Sequence, residues 1–435
     1  LTPRTRAFTI DRTIVGHAAS VFGSTVATAG LGFAYAWLGA RLFEKEAFGI
    51  ASAGVGAMML LSGLSLFGLT TLLVGELPRD RARAPRLLTA ALLASGALGA
   101  VLGLVFCLVA PFVVPDLTPL VAGRWGVLLF TLGVVLTTVT QVFDYAMIGV
   151  LRSGVQLWRN IVSSGVKVLA LAAAALLSGP AHVVALLIFS TWTLGHLVSL
   201  ATVGAQLARR GERVAHAPDW ARLRALRGTA LAHHALNISW QGPVWVFPLL
   251  VTAFLGPSQN ASFYVAWMIF FLAFKVTESL TTVLYAVNAA DVTLLAQKTR
   301  FTLRAAFALS ALACLVLIPL APFALHVFGA EYAAEATAAL RWLLLTTFPL
   351  VIKMHFLAVM QVKRQIGRAT VYMAAGGVLE IAGAAFGVAW GGLSGLVLGM
   401  LAAQLLEAAV MLGPVWATAR RSPTSVGTAR SSSFD

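Results

Sequence analysis

The chain has 435 residues, of which 59% are hydrophobic and 11% charged, with mean hydropathy +0.88 and a formal net charge of +15. Soluble domains average about 25% charged residues, so this much apolar surface needs lipid as its solvent. The positive charge falls in short clusters between apolar runs, which argues against a basic face for nucleic acid and for loops that orient helices.

Runs of about 20 mainly apolar residues predict twelve transmembrane helices in an all-α, polytopic integral membrane protein. In chain order they are Ile14–Ala40, Phe48–Gly75, Leu87–Val114, Trp125–Leu151, Ile161–Leu177 and His182–Leu207, then Gly228–Leu255, Ala261–Ala289, Phe301–Val327, Ala338–Val362, Ala369–Trp390 and Leu393–Val415. The first run is longer than the apolar core of a signal peptide and is followed at once by another, so it reads as a retained helix. Between the sixth and seventh lies Ala208–Arg227, with six arginines. It divides the chain into a six-helix lobe (1–207), a flexible Arg-rich linker (208–227), a second six-helix lobe (228–415) and a Ser/Thr/Arg-rich tail (416–435) expected to be disordered. Cys107 and Cys314 both fall inside apolar runs and show no disulfide or metal spacing.

Alternate loops differ sharply in charge. Of 31 Lys and Arg, 24 fall on the side that holds the N-terminus, Arg152 and Arg159 among them, and only Arg41, Lys45 and Arg124 fall on the other. The remaining four, Lys167, Lys275, Arg341 and Lys353, lie within spans. This bias predicts both termini and the linker on the cytoplasmic side.

The halves also repeat. Phe48-Gly49-Ile50-Ala51 matches Phe263-Tyr264-Val265-Ala266, Thr70-Thr71-Leu72-Leu73 matches Thr281-Thr282-Val283-Leu284, and Arg124-Trp125 matches Arg341-Trp342, at offsets of 215, 211 and 217 residues. Six spans per half make the repeats parallel, a pattern of transporters in which one half rocks against the other.

Three stretches carry a family resemblance. Glu46-Ala47-Phe48-Gly49-Ile50-Ala51, Leu255-Gly256 with Ser262-Phe263-Tyr264-Val265-Ala266, and Phe328-Gly329-Ala330-Glu331-Tyr332-Ala333-Ala334-Glu335-Ala336 resemble motifs of bacterial polysaccharide exporters. These are the lipid-linked oligosaccharide flippases of the multidrug/oligosaccharidyl-lipid/polysaccharide (MOP) exporter superfamily. The resemblance implies a multi-pass protein of the bacterial inner membrane. Its cargo would be a polyprenyl-diphosphate-linked oligosaccharide, and its partners membrane lipids and other polysaccharide-assembly proteins. It implies no cofactor and no nucleic acid.

Ionisable residues at membrane depth are costly unless they face protein or water, so they are the first candidates for function. Lys275 and Glu278 share a helix face with Tyr264, Trp267 and Phe271 on one side and Thr282 and Tyr285 on the other. That stripe reads either as the wall of a sugar-binding cavity or as an internal ion pair. Lys167 and Lys353 read as contacts for a diphosphate, or as structural partners of Asp144 and of Glu380 or Glu407. Glu380, Asp144 and Glu407 are the candidates for coupling to an ion. His233-His234 reads as an interfacial pair or a proton relay. Ser20, Ser24 and Thr28 recur at intervals of four, as in close helix packing. Pro243 and Pro248 are expected to bend the seventh span.

Two other classes remain. A cation-coupled multidrug exporter of the same superfamily would share the architecture. A membrane glycan polymerase or transferase would need a large loop bearing acids or bases, and the predicted outside loops are short. The expectation is a transporter, not an enzyme.

Overall fold

The computed structural model describes residues 12–213, 216–288 and 295–420, with side chains for residues 20, 23–213, 216–275 and 295–420. The protein is an all-α polytopic membrane protein. Its helices are α1 (Arg12–Leu42), α2 (Lys45–Ser65), α3 (Leu69–Glu76), α4 (Ala84–Val113), α5 (Thr118–Val121), α6 (Gly123–Gly149), α7 (Ser153–Ala174) and α8 (Ala181–Arg209). They continue as α9 (Trp220–Ala225), α10 (Arg227–Leu255), α11 (Pro257–Asn288), α12 (Leu295–His326), α13 (Ala330–Leu345), α14 (Thr347–Val362) and α15 (Ile366–Ala419). Eight helical stretches among the described residues are long and apolar enough to cross a membrane. Large apolar side chains on their outer faces stand open, with Phe112 86%, Trp390 80% and Leu315 74% exposed, a coat suited to lipid.

Each predicted span coincides with helix. The second is built from α2 and α3, the tenth from α13 and α14. The last two are the arms of α15, which turns back at Gly391–Gly392, where Gly392 has φ 54°. The arms touch through glycines four apart. A Cβ on Gly387 would lie 2.0 Å from the Gly395 carbonyl oxygen, and one on Gly399 1.9 Å from that of Gly383. Only a bare backbone lets the arms lie this close, and dispersion across that contact replaces a hydrophobic effect that lipid cannot supply.

Helices α1–α8 pack chiefly on one another, as do α10–α15, and α2 packs against α10 and α11 across the two sets. The arginine-rich loops all lie at one end of the bundle, called here the basic end; the turns 43–44, 327–329 and 391–392 lie at the opposite end. Part of the linker docks on the bundle. Asp219 caps α9 by accepting from the Arg222 amide at 3.0 Å. Arg222 reaches Glu76 at 2.9 Å, and Leu223 and Leu226 pack on the apolar cluster of Leu69, Leu73 and Leu87. Leu223 and Leu226 are half-buried, so the apolar area they remove from water offsets part of the entropy lost on ordering α9.

One charge is reassigned. Arg159 was expected in a loop at the basic end, but α7 begins at Ser153 and carries Arg159 into the bundle, 3% exposed. Burial is affordable there because Asp144 meets it.

Candidate functional site

Three polar groupings lie inside the bundle. In the first, Arg159 of α7 donates Nε and Nη2 to the two carboxylate oxygens of Asp144 on α6, at 2.6 and 2.5 Å. Arg159 also reaches Asn160 at 2.5 Å and Ser199 at 3.4 Å, and Asn160 donates to Ser24 of α1 at 2.9 Å. The fork geometry of guanidinium on carboxylate makes this a satisfied pair. Ser24 here serves helix packing between α1 and α7.

Lys167 is one turn pair further along α7 and does not meet Asp144. Its ammonium lies 3.8 Å from the centre of the Trp192 ring on α8, a cation–π contact. The Lys167 stem packs against Gly195, where a Cβ would come within 2.6 Å of it.

The second grouping is Lys353 of α14 with Glu380 and Glu407, one on each arm of α15. The ammonium is 2.7 Å from Glu380 and 2.7 Å from Glu407, and all three residues are buried. The sequence offered one partner or the other; the structure brings both. With every group ionised the cluster carries one net negative charge, and a single added proton would neutralise it. The Glu407 carboxylate fits because Gly376 faces it, where a Cβ would lie 2.4 Å from Oε2. Beside it, His355 bonds Val351 and Thr302 at 2.8 and 3.1 Å.

The third is the aromatic stripe of α11. Trp267 packs between Phe247, Phe263 and Phe270, and Tyr264 lies against Phe48 of α2. Lys275 has its ammonium 4.9 Å from the Phe271 ring centre. Glu278, Thr282 and Tyr285 lie outside the described side chains.

The two ends of the bundle differ. At the opposite end the helix sets are bolted together. Arg41 donates to the carbonyls of Val327 and His326 at 2.8 and 3.3 Å, and Trp37 donates to Val327 at 3.2 Å. Lys45 pairs with Glu335 at 2.5 Å, and Glu335 also accepts from Gln259 and Ser262 at 2.8 and 3.0 Å. Asn260 donates to the Gly49 carbonyl and to Ser52 at 3.0 and 3.1 Å. Toward the basic end, a recess of about 90 Å³ opens between α2, α3, α6 and α10. Sequence reasoning missed both features. Lys45 and Glu335 were counted as loop charges, and the recess is lined by uncharged groups.

Residues 15–224 match the family model described as Polysaccharide biosynthesis protein. That match covers just under half of the chain and agrees with the resemblance read from the sequence. No curated protein matches the chain. Among solved structures, an inward-facing multidrug resistance MATE family transporter of the MOP superfamily aligns with TM-score 0.69 and 17% identity, over 91% of this chain and 96% of the other. An outward-facing structure of such a transporter aligns with TM-score 0.62 and 16% identity, over 94% and 96%. A MOP superfamily transporter from Pyrococcus furiosus, described as having reversed pocket polarity that suggests a different function, aligns with TM-score 0.63 and 16% identity, over 94% and 96%. At these identities the likeness establishes the fold alone.

Proposed function

We propose that this polysaccharide biosynthesis family member carries a polyprenyl-diphosphate-linked oligosaccharide across the bacterial cytoplasmic membrane by alternating access. The observation that supports it is the contrast between the ends: an ion pair and a set of hydrogen bonds bolt the opposite end, whereas at the basic end α3 and α10 touch beside a polar recess. Under this reading the basic end is cytoplasmic, both termini lie there, and the structure is the cytoplasm-facing member of a pair of states. The two helix sets are lobes that rock about the α2–α10–α11 contact.

The cargo's headgroup is too polar for lipid and its tail never needs to leave it. The protein then shelters only the headgroup, while the tail passes between lobes. Lys167, Lys275, Glu278, Trp267 and Tyr285 are assigned to the cavity wall. Lys353 is shared between Glu380 and Glu407 and can turn to a diphosphate only if a proton replaces it on a carboxylate. That exchange links cargo to protons, with Glu380 and Glu407 the leading couplers and Asp144, held twice by Arg159, the lesser one. Uphill turnover needs such a link, because a ligand drives a cycle only through unequal affinity for the two states.

The test is reconstitution in vesicles with a fluorescent lipid-linked oligosaccharide, with and without a pH gradient. Movement of the labelled lipid, faster with the gradient, is expected. Extrusion of cationic dyes with no movement of the lipid-linked sugar would replace this reading with multidrug export.

A further inference from the structure

The recess at the basic end is built around a break in a helix. Between α2 and α3 the chain passes through Phe67 at φ 48° and Gly68 at φ 70°. A phenylalanine in the left-handed region is strained and persists only where its surroundings hold it. Here the Phe67 ring stacks on His234 of α10, centres 5.3 Å apart and planes 15° from parallel. Gly68 lies against the α10 backbone, where a Cβ would come within 2.0 Å of the Ala230 carbonyl oxygen. Non-helical backbone at membrane depth is tolerated where it lines a polar cavity, and this break borders one.

The lining chemistry is specific. Gln141 of α6 and Asn237 and Gln241 of α10 supply carboxamides, Thr70 and Thr71 hydroxyls, and Tyr145, His234 and Trp245 rings; among the described residues no Lys, Arg, Asp or Glu lines the recess. Gln141 spends its amino group on Ser62 at 2.8 Å and Asn237 its own on Thr71 at 3.3 Å, which leaves both carbonyl oxygens without a protein donor. Among the described residues the Gln241 carboxamide and the Trp245 indole N–H have no hydrogen-bond partner. The Trp245 ring is seated against Gly63 of α2, where any Cβ would lie 2.1 Å from it.

We infer that this recess is a subsite for a neutral sugar residue of the cargo's headgroup, an inference that rests on the flippase reading above. A carboxamide donates and accepts in one plane, which suits adjacent hydroxyls of a pyranose ring. A tryptophan face covers the ring's apolar C–H side. A uronic acid or a phosphate would find no counter-charge among the described lining residues, and a charge left unpaired there is costly. The diphosphate therefore binds elsewhere, and the recess reads the sugar. Its walls come from both helix sets, so a sugar bridging Gln141 and Gln241 favours the arrangement that holds them together. That gives the cargo the unequal affinity for two states that transport requires.

The test uses the full chain in detergent and three probes measured by calorimetry: farnesyl diphosphate, its galactosyl-glucose conjugate and its glucuronosyl-glucose conjugate. In the native protein the neutral conjugate is expected to bind at least tenfold tighter than farnesyl diphosphate, and the acidic one no tighter. Gln241→Ala should reduce that gain to under threefold with farnesyl diphosphate binding and melting temperature unchanged. Gln241→Asn, which keeps the amide but draws it back, should fall between and serves if the alanine variant does not fold. Retention of the full gain in both variants, or a larger gain for the acidic conjugate, overturns the subsite. Farnesyl diphosphate binding with no gain from sugar in the native protein overturns the subsite and leaves the flippase reading standing. Failure of all three probes to bind overturns both.

Discussion

Lys45 of α2 and Glu335 of α13 form an ion pair at 2.5 Å that ties the two helix sets together at the end away from the arginine loops. Gln259 and Ser262 add two hydrogen bonds to the same carboxylate. Because the pair is only partly covered, the ion pair itself contributes about 1 kcal/mol. Glu335→Ala also removes the two hydrogen bonds to that charged carboxylate, each worth about 1.5 kcal/mol. The closed end should therefore open more often. With Cys107 and Cys314 replaced, a cysteine at Ser52, buried just beneath this seal, should react with an impermeant thiol reagent several-fold faster in the Glu335→Ala background. An unchanged rate would show that Arg41 and Trp37 hold the seal without it.

Orientation has its own check. A single cysteine at Arg222 should be shielded from an impermeant reagent in intact cells, and one at Asp116, exposed at the opposite end, should be labelled. The reverse pattern would place the basic end outside and invert the proposed direction of transport.

The Asp144–Arg159 pair should behave as a buried unit. Asp144→Asn leaves a guanidinium unpaired among helices and should cost about 3–5 kcal/mol, whereas Asp144→Leu with Arg159→Met should cost much less. Thermal unfolding in detergent separates the two. If the double variant is as unstable as the single one, the pair's partners Asn160 and Ser199 matter more than the charge balance.

Around Lys353 the expected outcome concerns coupling. Glu407→Gln removes one negative charge from the cluster while preserving its shape, so no proton is needed to balance it. Transport by this variant should proceed down a substrate gradient and lose its response to a pH gradient. An undiminished response would take Glu407 out of the coupling path.

The hairpin of α15 depends on glycine at the contact. Gly387→Ala sets a methyl group against the Gly395 carbonyl, backbone that cannot swing aside. Overpacking of this kind costs about 1–3 kcal/mol, visible as a lowered melting temperature. Since Glu380 and Glu407 ride on the two arms, the same change should disturb their shared hold on Lys353.

The spans were legible because a run of twenty apolar residues has few other uses, and the charged loops because lipid excludes arginine. Arg159 was misplaced for the same reason: it borders the apolar run at Ile161, and only its meeting with Asp144 shows that α7 starts earlier. Lys353 could be paired from sequence with either of two acids but not with both, since that depends on the fold of α15 at Gly391–Gly392. Gln141, Asn237 and Gln241 gave no signal at all. A search for costly charges passes over carboxamides, and their convergence depends on helices far apart in sequence. The match between Lys45 and Glu335 was hidden likewise, because loop charges carry no mark of the partner they meet.

The docked linker has a mechanical consequence. Arg86 and Asp219 hold each other's chains through two hydrogen bonds, Arg86 Nε to the Ala217 carbonyl at 3.3 Å and the Asp219 amide to the Arg86 carbonyl at 3.1 Å. From that anchor α9 runs into α10 with only Leu226 between them. A turn of α10 about its own axis is thus delivered as torque to the α3–α4 corner rather than absorbed as slack. If the halves rock as proposed, the arginine-rich segment would work as a crank, and lengthening it by a few flexible residues at Leu226 would let each half move without turning the other.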